Sequence, residues 1–154
     1  MGILMRWLRI VVSVFALLLL PLELIAAELV VITQRQASDS TLDDHKPALA
    51  LNREQVRNLY MGASLSYKLK PIALKPGNRT RSLFNAKVIG LSESRIQSYW
   101  AQMKFTGRMK APKTLASENA VLEYLLQNPG SVGYVAADTE LPTSIQVIFR
   151  TGDQ

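Results

Sequence analysis

Cysteine is absent from this sequence, and histidine occurs once, at position 45. Disulfides are therefore excluded, as are Cys–His nucleophiles, most Ser–His arrangements and most zinc sites. His45 follows Asp43-Asp44, the only adjacent acidic pair, in a polar stretch that reads as a solvated loop. No phosphate-binding P-loop and no dinucleotide glycine fingerprint is present. Internal repeats and low-complexity tracts are missing as well. These absences point to a binding protein rather than an enzyme, with no cofactor and no metal, whose stability comes from its core.

The only long apolar run lies at the start. Arg6 and Arg9 form a short basic region, Ile10 to Leu20 is almost unbroken apolar sequence, and Ile25-Ala26-Ala27 offers residues a signal peptidase would read. Residues 1–27 are therefore expected to be a signal peptide, leaving residues 28–154 as one exported domain, periplasmic or secreted. The competing reading is an uncleaved membrane anchor, but Pro21 and Glu23 interrupt the run. The remaining 127 residues suffice for one domain with a substantial core, not for two full lobes.

Acidic residues are also nearly missing from the middle of the chain. From Lys68 to Lys113 there are eleven basic residues and only Glu93 against them, a local charge of +10. The flanks carry −1 (Glu28 to Tyr67) and −4 (Thr114 to Gln154). Such asymmetry predicts a positive field attractive to anions, unless the cations spread over different faces.

Patterning places strands and helices in alternation. Leu29 to Thr33 reads as a buried strand. Asn52 followed by Gln55 forms a capping box, with Leu51 and Val56 at staple spacing and Gly62 as the stop. Leu69 to Leu74 reads as a strand, with Pro71 marking an edge or a strand start. A short helix to about Val88 follows. Another is capped by Ser92, with Ile96, Tyr99, Trp100 and Met103 on one expected core stripe. Lys104 to Lys113 reads as a basic loop. Ser117 caps a helix with Val121, Leu122 and Leu125 inward, SVGYVAA is a strand, and Ile145, Val147 and Phe149 alternate in a half-buried last strand. The class is α/β around a central mixed sheet flanked by helices.

KPGNRTRSLF, residues 75–84, carries the chemistry. A Pro-Gly-Asn turn precedes a helix whose first N–H groups lack intrahelical partners and point toward any anion placed there. Asn78 or Thr80 caps it, and the Thr80 and Ser82 hydroxyls add donors. Arg79 and Arg81 stand where the helix dipole disfavours positive charge unless an anion neutralises it. The bland alternative is that both guanidinium groups reach into water.

LNREQVRNLYMG, then GNRTRSLF, then NPGSVGYV follow one another in an order that resembles the phosphate-type substrate-binding proteins of ABC transporters. In that family an aromatic-apolar-Gly helix end comes first, matched by Leu59-Tyr60-Met61-Gly62. A Ser-Gly-Thr-Arg-x-x-Phe signature that helps hold phosphate follows, and an Asn-Pro-Gly strand comes later. YWAQMKFTGRMKAP is similar to a segment of small, single-lobe relatives. Thr80, Arg81 and Phe84 match the signature, whereas Asn78 and Arg79 stand where the family has serine and glycine. The family encloses its ligand between two lobes, and this chain has room for one, resembling the second.

The resemblance implies one lobe of a type II periplasmic binding protein that binds phosphate or another oxyanion weakly. The expected contacts are Asn78, Arg79, Thr80, Arg81 and Ser82, with Phe84 as core support. A transporter or other envelope protein and a homodimer are the partners it admits. The second reading is an accessory protein that kept the fold, lost the ligand, and docks an acidic protein or an anionic membrane through its basic middle. Nucleic acid is disfavoured by the export signal and by the lack of a recognition helix.

Overall fold

Nine regular elements of the computed structural model lie in the described residues, 27–35, 49–63, 68–107 and 109–152. Residues 1–26, on which the signal-peptide expectation falls, the acidic pair and His45 lie outside them. In chain order the elements are β1 (Leu29–Gln34), α1 (Arg53–Tyr60), β2 (Lys70–Leu74), α2 (Arg79–Phe84), α3 (Glu93–Phe105), β3 (Lys113–Leu115), α4 (Glu118–Gln127), β4 (Ser131–Ala136) and β5 (Ile145–Arg150). After Phe84 the chain winds on through Asn85–Ile89 as one wide π-type turn, closed where the Gly90 N–H donates to the Asn85 carbonyl at 2.7 Å.

The five strands form one sheet in the order β3-β2-β4-β1-β5. β2 runs parallel to β3 and β4, while β1 runs antiparallel to β4 and β5, so the sheet is mixed. β2 lies inside the sheet, and Pro71, its second residue, marks a strand start rather than an edge.

Helices cover both faces. Adjacent residues on a strand point to opposite sides, and Gly133 and Tyr134 show what each side holds. A Cβ on Gly133 would stand 2.5 Å from Val121 Cγ1, so α4 packs directly on that glycine. On the other face Tyr134 stacks on Phe84 of α2 (ring centroids 4.0 Å apart, interplanar angle 3°), and Tyr60 of α1 meets Phe84 edge-on at 4.7 Å. The Tyr60 hydroxyl has the Ile72 and Val132 carbonyls at 3.0 and 3.1 Å, tying α1 to two neighbouring strands. Its burial, with the nearby Tyr134, pushes the Tyr60 phenol well above its ordinary pKa.

The caps form where the sequence puts them. Asn52 and Gln55 close a full capping box, and Ser92 and Ser117 accept from the N–H groups of Arg95 and Ala120. Two expectations change. In β5 the simple alternation fails, because the register against β1 slips between Val31 and Ile32, leaving Ile148 as an extra residue. Ile148 and Phe149 are both buried as a result, and Val147 is only partly so. On α3 only Ile96 of the expected stripe is buried; Tyr99, Trp100 and Met103 are half-covered. β3 was not expected, and it occupies the end of the basic loop.

Candidate functional site

The turn Lys75–Gly77 leads from the end of β2 into α2, which starts at the same end of the sheet as the C-terminus of the parallel strand β4. Asn78 is the N-cap. Its Oδ1 accepts from the N–H groups of Thr80 (2.8 Å) and Arg81 (3.3 Å). The Ser82 N–H donates to the Asn78 carbonyl at 3.1 Å, and the Ser82 hydroxyl turns back on the same carbonyl at 3.3 Å. The chain's own amide thus satisfies two of the donors that a helix start offers an anion. Arg79 is exposed to solvent.

Thr80 and Arg81 are buried, at 8% and 7% exposure, and each meets a carboxylate. The Thr80 hydroxyl donates to Oε1 of Glu118, the first residue of α4. Oε2 of the same carboxylate accepts from the Ala136 N–H at 3.0 Å and from the Thr139 hydroxyl at 2.9 Å. Three donors, from α2, the end of β4 and the turn after it, therefore converge on one negative group. Each bond is charge-assisted.

Arg81 points inward. Its Nε and Nη2 donate to the two oxygens of Glu93 at 2.7 and 2.8 Å, a bidentate pair, and Nη1 donates to the Leu74 carbonyl at 2.6 Å. The Tyr134 hydroxyl accepts from the Leu74 N–H at 3.2 Å, so one tyrosine and one arginine tie off the end of β2. The hydrogen bond from Arg81 holds the Glu93 carboxyl down at about 2, against the opposing effect of partial burial. Asn85 and Gln97 donate to it as well, each at 2.7 Å. Burial works against the Arg81 charge, but Glu93 outweighs it and the arginine's pKa is raised. Burial raises Tyr134 to about 12. Behind the pair lies a cavity of about 120 Å³, walled by Tyr60, Phe84, Trp100 and Tyr134. That is close to the size that accepts one benzene-like group.

The five residues expected to contact an oxyanion are contiguous at the start of α2, but their donors diverge. Asn78 and Ser82 close on the backbone, Thr80 turns to Glu118, Arg81 turns to Glu93, and Arg79 faces solvent. Sequence reasoning missed both glutamates as members of this constellation. Glu93 carried a signal, being the lone acid in a segment of eleven cations. Glu118 carried none, because its place depends on how α4 meets the end of β4. Among the described residues no group of three or more acidic or histidine side chains could hold a metal ion, and no helix is long and apolar enough to cross a membrane.

No protein-family model matches the chain, and no curated protein matches it at a significant level. Solved structures do. An ABC-type phosphate transport receptor from Vibrio cholerae superposes with a TM-score of 0.54 over 79% of this chain at 16% identity. A protein assigned as a phosphate ABC transporter substrate-binding protein from Clostridium perfringens, solved with phosphate bound, gives 0.57 over 79% at 13% identity. The match spans 45% and 44% of those two chains. The chain therefore has the fold of one part of a phosphate-type substrate-binding protein, and the resemblance read from its motifs holds at the level of fold.

Proposed function

We propose that this is an exported, non-catalytic interaction module, built on the fold of a phosphate-receptor lobe, whose anion seat is filled by its own carboxylates. One observation carries the reading. Glu118 accepts from Thr80, Ala136 and Thr139 together, so the Thr80 hydroxyl, one of the expected oxyanion donors, already meets a fixed carboxylate. A free anion would have to displace a tethered one and would meet its repulsion. A single lobe also leaves its ligand half solvated, where charge contacts are weak and screened by salt. Function then falls to the surface, with an acidic partner in the cell envelope, a transporter component among the candidates, drawn to the basic middle segment. Weak oxyanion binding around Asn78 to Ser82 is the second reading, favoured by the exposed guanidinium of Arg79 at the helix start.

The melting temperature of the full chain in nonionic detergent, followed against phosphate with chloride at matched ionic strength, separates the two. A ligand at about a hundred times its dissociation constant adds roughly 2.7 kcal/mol, worth several degrees here. Wild type is expected to show no rise beyond the chloride control. Glu118→Ala, which leaves one N–H and two hydroxyls without their acceptor, is expected to melt lower by about 2 kcal/mol and to regain part of that loss in phosphate or acetate. A saturable rise with phosphate in the wild type would overturn the reading in favour of oxyanion binding.

A further inference from the structure

Between α3 and the sheet lies the cavity of about 120 Å³ behind the Arg81–Glu93 pair. Its floor follows from the pleat. Ile72 shares the Gly133 face of the sheet, so Ala73 turns to the opposite face with Tyr134, and Thr114 stands beside Ala73 in the parallel register of β3. Ile96 and Trp100 of α3 line it from above, and the buried rings of Tyr60, Phe84 and Tyr134 close its inner end.

Polar ties hold α3 over this space. At the start of the helix Glu93 accepts from Arg81 and Asn85, and further along the Tyr99 hydroxyl donates to the Met61 carbonyl at 2.8 Å. Ile96 is the only residue of α3 that is buried, and the floor contributes an alanine, so the gap between helix and sheet is not closed by side chains. Protein interiors ordinarily pack without such gaps, because a void costs stability.

The lining selects what can enter. Arg81 is the one charged residue among the described residues that line the cavity, and Glu93 neutralises it, so neither an anion nor a cation gains by binding there. Asn85, 7% exposed, gives its amide nitrogen to Glu93, and its Oδ1 accepts from no donor among the described residues. The Tyr134 hydroxyl accepts from the Leu74 N–H and has no acceptor for its own proton among the described residues. At the outer end Ala111 and Thr114 are exposed, which gives a way in along β3.

We infer that this cavity binds a small neutral aromatic molecule, a single ring bearing a hydroxyl group. Its volume admits one six-membered ring, since an apolar cavity of about 150 Å³ holds benzene. The surrounding aromatic side chains offer edges and faces to a flat ring, and one hydroxyl can donate to Asn85 Oδ1 and accept from Tyr134. Water is the competing occupant, but it needs several polar partners, and most of the wall is apolar.

Fluorine NMR reads occupancy directly. The full chain in nonionic detergent is titrated with para-fluorophenol, with fluorobenzene and para-fluorobenzoate for comparison and detergent alone as the blank. A saturable displacement of the para-fluorophenol signal beyond the blank is expected. Fluorobenzene, which lacks the hydroxyl, should bind at least about threefold more weakly, and para-fluorobenzoate should not bind. Ala73→Leu fills the floor and should abolish the displacement. Thr114→Trp narrows the entrance from an exposed position and should weaken binding at least about tenfold while melting like wild type. No saturable displacement overturns the proposal. So does a response that survives both substitutions, or one that fluorobenzene or para-fluorobenzoate matches.

Discussion

Replacing Glu93 by glutamine tests how the start of α2 is held. Arg81 is 7% exposed and gives two of its N–H groups to the Glu93 oxygens at 2.7 and 2.8 Å. Glutamine keeps the shape, removes the charge, and presents an NH2 to a guanidinium that needs an acceptor. Breaking a fully buried pair costs about 3–5 kcal/mol. The Glu93 side chain is 35% exposed, so water screens one end of the pair, and about 2–3 kcal/mol is the better expectation. For a domain of this size that lowers the melting temperature by roughly 6–15 °C. Acid supplies an independent check of sign. Glu93 titrates at about 2 in the folded protein against an ordinary 4.5, so the unfolded chain takes up its proton first. The stabilisation is full above the unfolded value and disappears as pH falls from 4.5 to about 2. Circular-dichroism melts from neutral pH into that window should show wild type losing stability steeply and Glu93→Gln much less so. A variant melting within about 2 °C of wild type, or sharing its acid slope, would refute the claim that this pair secures the helix.

Two further substitutions probe the two faces of the sheet. Gly133→Ala drives a methyl group to 2.5 Å from Val121 Cγ1 and 3.4 Å from Ile72 Cγ1, and should lower stability by about 2–3 kcal/mol, read as an earlier urea midpoint with an unchanged slope. Tyr60→Phe removes the hydroxyl shared by the Ile72 and Val132 carbonyls and should cost about 1–1.5 kcal/mol. An unaltered urea midpoint would show that those carbonyls do not depend on it.

Local chemistry was legible wherever its cause was local. Asn52, Ser92 and Ser117 cap their helices because a cap needs only a few neighbouring residues. The same holds for the buried run of β1 and for Phe84 as core support. The α/β class followed from the alternation of periods. The bulge facing Val31 and Ile32 was not legible, because it arises between strands more than a hundred residues apart. β3 was hidden by its length of three residues and its lysine. Arg81 was read as an oxyanion contact at the helix start, and its pairing with Glu93 was not legible because that partner comes twelve positions later, on another helix. In the same way, a helix start shows which donors lie there, but not that the Thr80 hydroxyl meets a carboxylate thirty-eight positions on.

The strand order has a consequence for how this chain comes to be folded. β1 is the first strand made, yet its two neighbours in the sheet, β4 and β5, are the last. The Leu29 N–H is fixed by the Thr151 hydroxyl at a separation of 122 residues. Until that late sequence exists, LVVIT has no native partner on either side and remains a bare, sticky, apolar ribbon. A chain delivered residue by residue can pair β2 with β3 early, but β1 has no partner until residues 131–150 exist. Whatever escorts the nascent chain therefore has to shield positions 29–33 for the whole of that interval.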